Sequence, residues 1–126
     1  MRAAQNFYSI DEIRAYHERV LGGHFFREAR KFNSKVYPVI YPGREGWPII
    51  VTSEKQPGWN GNSYSRKYTV RQLNERGGFD TIKPKFEKLE VSGFGYWSTL
   101  RGARAFAAKV SHDQLYSPMD HYGEKS

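Results

Sequence analysis

The chain contains no cysteine. That excludes disulfides, thiolate metal sites and a cysteine nucleophile, and it suits a reducing compartment. Long apolar runs are also missing. The opening "MRAAQNFYSIDEIRAYHERV" has no apolar signal core, and no stretch approaches a membrane span. The expectation is a cytoplasmic protein with no membrane partner. Gly-rich pieces such as "VSGFG" lack the Lys-Ser/Thr ending of a phosphate-binding P-loop, and there is no G-x-S-x-G nucleophile elbow. Neither an internal repeat nor a low-complexity tract is present. No catalytic residue, cofactor or resident metal is therefore expected.

Acidic residues are scarce where it matters. The net charge is +7, from 20 basic and 13 acidic residues. Residues 1–21 balance to zero and residues 111–126 carry −2, so residues 22–110 hold +9. Such a density suggests a polyanion or an acidic protein surface as partner. The 126 residues suit one domain. Aromatics make up 16% of the chain, and each can bury ~150–250 Å², so the core is expected to rest on Tyr, Phe and Trp more than on Leu.

Element signals are clear at both ends. Ser9 and Glu12 form a capping box, with Tyr8 and Ile13 at hydrophobic-staple positions. Ile13, Tyr16, His17 and Val20 follow helical spacing to Gly22-Gly23, which predicts a helix over 10–21. His17 reads as a packed neutral side chain. "HFFREARKF" (24–32) suggests a short second helix. "KVYPVIY" (35–41) reads as an edge strand because Pro38 cannot donate to a ladder. "PIIVT" (48–52) is a central strand, 53–63 a long loop, 64–73 an alternating strand, and 79–91 a fourth strand region interrupted by Pro84. Ser98 is the expected cap of a last helix whose apolar face is Leu100, Ala103, Phe106, Ala107 and Val110. Residues 111–126 read as a loosely packed tail of a single domain spanning 1–126. The expected class is α+β: a small antiparallel sheet of three to four strands with an N-terminal and a C-terminal helix packed on one face.

The strand "YSRKYTVRQL" carries the functional question. Alternation puts Tyr64, Arg66, Tyr68, Val70 and Gln72 on one side, read as the helix-facing side, with Arg66 near the margin. Lys67, Thr69, Arg71 and Leu73 fall on the other. Lys67 and Arg71 would then form a basic ladder on a wet face, extended by Lys83 and Lys85, with no acid to answer it between Lys55 and Arg71. Solvated strands also carry such residues to discourage edge pairing, so the pattern alone decides nothing. In a meander, the turns 42–47 and 74–78 share one end of the sheet and bring Arg44 and Trp47 beside Arg76 and Phe79. Lys55 and Trp59 mark the other end. A loop tryptophan beside a cation suits base stacking, a protein hot spot, or a cap on the core.

Arg101 and Arg104, near the start of the last helix, could hold a phosphate. The order helix, strands, helix, ending in "STLRGARAFAA", resembles the double-stranded-RNA-binding domain. That resemblance implies a helix packed on a three-stranded sheet with basic residues at the helix start. It covers the last helix and the element order only. Thr99-Leu100 stand where that family has a lysine pair, and membership is not assigned. The first expectation is a non-enzymatic module contacting RNA or DNA phosphates through Lys67, Arg71, Lys83, Lys85, Arg101 and Arg104, with Trp59 as a stacking group. The alternative is a small accessory or inhibitor protein, of the sort phages encode, docking on an acidic or nucleic-acid-handling protein through Arg44, Trp47, Arg76 and Phe79. A third is a small metal-dependent hydrolase or nuclease using His112 or His121 of the tail.

Overall fold

The computed structural model describes residues 1–22, 35–57, 64–83 and 97–117. The expected second helix at 24–32, Trp59, Lys85, His121 and the part of the fourth strand region from 84 onward lie outside them.

Helix α1 spans Ile10–Leu21, as its cap signals predict. The Ser9 hydroxyl accepts from the Glu12 N–H at 3.2 Å. The Glu12 carboxylate reaches back to the Tyr8 N–H at 2.8 Å, one residue before the usual partner. Gly22 takes a left-handed φ of 103° and donates to the Glu18 carbonyl, which closes the helix. The expected staple does not form: Tyr8 is 78% exposed, and Phe7 joins Ile13 in the core instead. His17 is buried, with Nδ1 2.6 Å from the Gly77 carbonyl, so Nδ1 carries the proton.

Four antiparallel strands follow in the order β1 (Lys35–Val36), β2 (Ile49–Pro57), β3 (Tyr64–Leu73) and β4 (Phe79–Thr81). β1 stops short of Pro38; beyond it the expected strand 35–41 meets β2 through the Tyr37 N–H, which donates to the Val51 carbonyl at 3.0 Å, and at the Tyr41–Ile49 bridge. β2 runs well past its apolar run, through part of the stretch expected as loop, because Ile49 to Pro57 pair rung by rung with Gln72 to Tyr64. Helix α2 covers Leu100–Tyr116. Thr99 caps it rather than Ser98, its hydroxyl accepting from the Gly102 N–H at 3.0 Å. Residues 111–116 continue the helix rather than trailing loosely, and Ser111 and Gln114 are buried. A Thr99→Ala variant is expected to lose about 1 kcal/mol in urea unfolding. An unchanged midpoint would mean that the hydroxyl is not the cap in solution.

The α+β class and the antiparallel sheet are as the sequence indicates; the placement of the helices differs from expectation. Ile49, Val51 and Val70 pack against Ala103, Phe106, Ala107 and Val110 of α2. Ile50 and Leu73, whose side chains point the other way, pack with Phe7 and with Ile13 of α1. The helices therefore lie on opposite faces. The sequence could not show this, because α1 reaches the sheet through the 74–78 turn: His17 meets Gly77, and the Tyr16 hydroxyl donates to the Glu75 carbonyl at 3.0 Å. Among the described residues, no helix is long and apolar enough to cross a membrane.

Candidate nucleic-acid interface

The register of β2 and β3 decides which cations share a surface. Thr52 pairs with Thr69, Glu54 with Lys67, and Ile50 with Arg71, so these residues lie on the α1 face. This is the face expected to be wet. Thr52 and Thr69 are each only 1% exposed. Arg71 lies along the face rather than out from it: its Nε donates to Thr52 Oγ1 at 2.9 Å and its guanidinium to Thr81 Oγ1 at 3.2 Å. A third bond reaches Glu54 at 2.9 Å as an ion pair whose side chains are 18% and 14% exposed. An acid one position before Lys55 thus answers the ladder, from across the sheet. Lys67, half-buried, faces the same way and makes no ion pair among the described residues. The Ile82 N–H donates to the Val70 carbonyl, which carries the ladder one residue past β4 and puts Lys83 on this face too.

The α2 face gathers a different set. Lys55 stands directly opposite Arg66, and two rungs inward Lys35 is opposite Ser53. The Arg66 guanidinium donates to the Ser53 hydroxyl at 2.7 Å, and that hydroxyl lies 3.0 Å from the Tyr37 hydroxyl. Arg104 closes the corner, its guanidinium carbon 5.9 Å from the centre of the Tyr37 ring. Arg101 is exposed one turn earlier on the same side of α2. The start of α2 is tied here by the Tyr68–Trp97 bridge. From the Lys35–Ser53–Tyr68 rung outward, no described residue on this face is acidic. Lys55 and Arg66 are thus like charges on directly opposite residues of the sheet.

Sequence reasoning named Arg101 and Arg104 but not Lys35, Lys55 and Arg66 as their companions. The signal available was the cross-strand register. Once β2 extends to Pro57 opposite Tyr64, Lys55 must meet Arg66. Of the six proposed phosphate contacts Lys85 lies outside the described residues, and the other five do not share one face: Lys67, Arg71 and Lys83 lie on one face of the sheet, Arg101 and Arg104 on the other.

The opposite end of the sheet does bring Arg44 and Trp47 to the 74–78 turn. They line a cleft of about 330 Å³ with Glu45, Asn74, Glu75 and Asp80. Trp47 packs its ring against Tyr16 at 5.7 Å and donates Nε1–H to the Met1 carbonyl at 2.6 Å. Trp47 and Phe79 both pack beside the buried cluster under α1, while Arg76 is exposed. The Met1 amine lies 2.7 Å from Glu45. Their hydrogen bond raises the amine's pKa and lowers that of the carboxyl. His112 is exposed and stacks near Tyr116 at 4.9 Å. Among the described residues, no group of His, Asp and Glu side chains is arranged to hold a metal ion. Comparison with family models, curated proteins and solved structures finds no match to this chain.

Proposed function

We propose that the protein is a non-enzymatic binding module that holds nucleic-acid phosphates at the corner formed by the outer ends of β2 and β3 and the start of α2. The observation that carries this reading is the Lys55–Arg66 rung, flanked by Lys35 and by Arg101 and Arg104, on a part of the α2 face where no described residue from the Ser53–Tyr68 rung outward is acidic. Phosphate contacts of this kind supply affinity without choosing sequence. The absence of cysteine suits action in the cytoplasm. The protein-docking alternative has less to rest on, since Trp47 and Phe79 pack beside the core rather than forming a free apolar patch.

Fluorescence anisotropy with labelled duplex and single-stranded oligonucleotides tests the reading. Five cations on phosphates predict a log–log salt slope of about −4 to −5 on a duplex. The Lys55→Glu, Arg101→Glu variant is expected to bind at least about tenfold more weakly and with a shallower slope, with no loss of thermal stability. Absence of binding at low salt, or equal binding by the variant, would overturn it.

A further inference from the structure

We infer that Tyr37 is a positioning residue of this corner, whose ring fixes where the Arg104 guanidinium meets phosphate. The inference rests on the phosphate-binding reading and assigns a role to a side chain that carries no charge. Several contacts restrain Tyr37. Pro38 follows it, and the residue before a proline is confined to extended backbone. Its N–H donates to the Val51 carbonyl at 3.0 Å. Its hydroxyl lies 3.0 Å from Ser53 Oγ. Its ring sits 6.0 Å from that of Tyr68 and packs beside the buried cluster under α2. A ring held at both ends is a rigid platform.

Arg104 is held by that platform. Its guanidinium carbon lies over the ring, 5.9 Å from the centre. Its Nε is buried without a hydrogen-bond partner. No carboxylate among the described residues pairs with it. The ring, rather than a hydrogen bond or an ion pair, therefore sets the place of this charge. Buried donors are nearly always satisfied, so one left unmet needs a reason. A guanidinium that the fold leaves unpaired is ready for an anion from outside. Lysine could not serve equally here. A guanidinium is planar, lies against aromatic rings and presents its donors in a fixed fork, while an ammonium is a strongly hydrated point charge. A long cation also loses rotamer freedom when it takes a ligand. On Tyr37, much of that ordering precedes binding. Arg101, one turn earlier, is exposed and has no ring beneath it among the described residues. The two arginines look equivalent in the sequence, and the ring makes them unequal.

Anisotropy of the full chain with a labelled duplex oligonucleotide, over a series of salt concentrations, tests this. Arg104→Lys keeps the charge and the salt slope, yet is expected to weaken binding about tenfold, several times the loss in Arg101→Lys. Tyr37→Leu should weaken binding to a similar degree, and Tyr37→Phe, which keeps the ring, should recover most of that loss. The Tyr37→Leu, Arg104→Lys double variant should bind little more weakly than either single one, because both remove the same contact. A tyrosine that only supported the fold would give additive losses. The contrast between the two arginines holds whether or not a Tyr37 variant is stable. Equal losses in Arg104→Lys and Arg101→Lys, or additive losses in the double variant, would overturn the inference and leave phosphate binding standing. Absence of binding by the unaltered chain at low salt would overturn both.

Discussion

Gly43→Ala is expected to lower the unfolding free energy by about 3 kcal/mol or more, among the largest effects of any single methyl in this chain. Gly43 has an extended backbone that any residue could adopt, so the constraint is space and not φ. An added Cβ would run into the Trp47 carbonyl and the Gln72 amide nitrogen, and would lie 2.8 Å from Gln114 Oε1. Those atoms belong to one buried network. Gln72 and Gln114 exchange reciprocal amide bonds of 2.8 Å each, Gln72 also donates to the Trp47 carbonyl at 3.0 Å, and the Arg44 N–H donates to Gln114 at 2.7 Å. The methyl must therefore break hydrogen bonds inside the fold or push the turn away from α2. Overpacking costs roughly 1–3 kcal/mol, and each orphaned buried amide adds about 1–3. Urea unfolding checks this. A loss below about 1 kcal/mol would mean that the turn moves freely over the glutamine pair. A companion comparison sharpens it: Gln114→Leu alone takes away the Gln114 donor to the Gln72 Oε1 and should cost more than Gln72→Leu, Gln114→Leu together.

Arg71→Met is the second large effect, with an expected loss of about 2 kcal/mol. Fully buried pairs broken on one side cost about 3–5 kcal/mol, and the figure is reduced here because water still reaches both partners. Removing the guanidinium strands Glu54, whose Oε2 is already buried without a hydrogen-bond partner. It also removes the donor to Thr52, which is buried. Glu54→Gln should cost less, because Arg71 keeps Thr52 and Thr81 as acceptors. The double variant should recover part of the Arg71→Met loss, giving a coupling of about 1 kcal/mol in a thermodynamic cycle. Strict additivity would show that the ion pair contributes nothing beyond its separate ends.

Local chemistry made much of the fold legible. Ser9, Glu12 and Gly22 set the limits of α1, and the i, i+3, i+6, i+7 spacing from Leu100 marked the buried face of α2. β3 could be read from its alternation alone. What failed was whatever depended on contacts distant in sequence. Lys55, Gln56 and Pro57 carry no strand signal of their own; pairing with β3 makes them a strand. Tyr8 stands where a staple belongs, yet Phe7 fills the core because α1 packs on the opposite face from α2. Glu54 and Arg71 are 17 residues apart and meet only across the hairpin. The candidate site shares this difficulty. Arg101 and Arg104 were visible as helix-start cations, while Lys35, Lys55 and Arg66 form a cluster only through register.

The attachment of α1 to the 74–78 turn has a consequence for how the chain acquires its shape. The bonds from Tyr16 and His17 close loops of 59 and 60 residues. During synthesis from the N-terminus, this helix is finished early but has nothing to dock on until the third and fourth strands have been made. Loops of that length are slow to close, so consolidation of α1 should be a late folding event. Substitutions at Ile13 or His17 should then speed unfolding while leaving the refolding rate nearly unchanged.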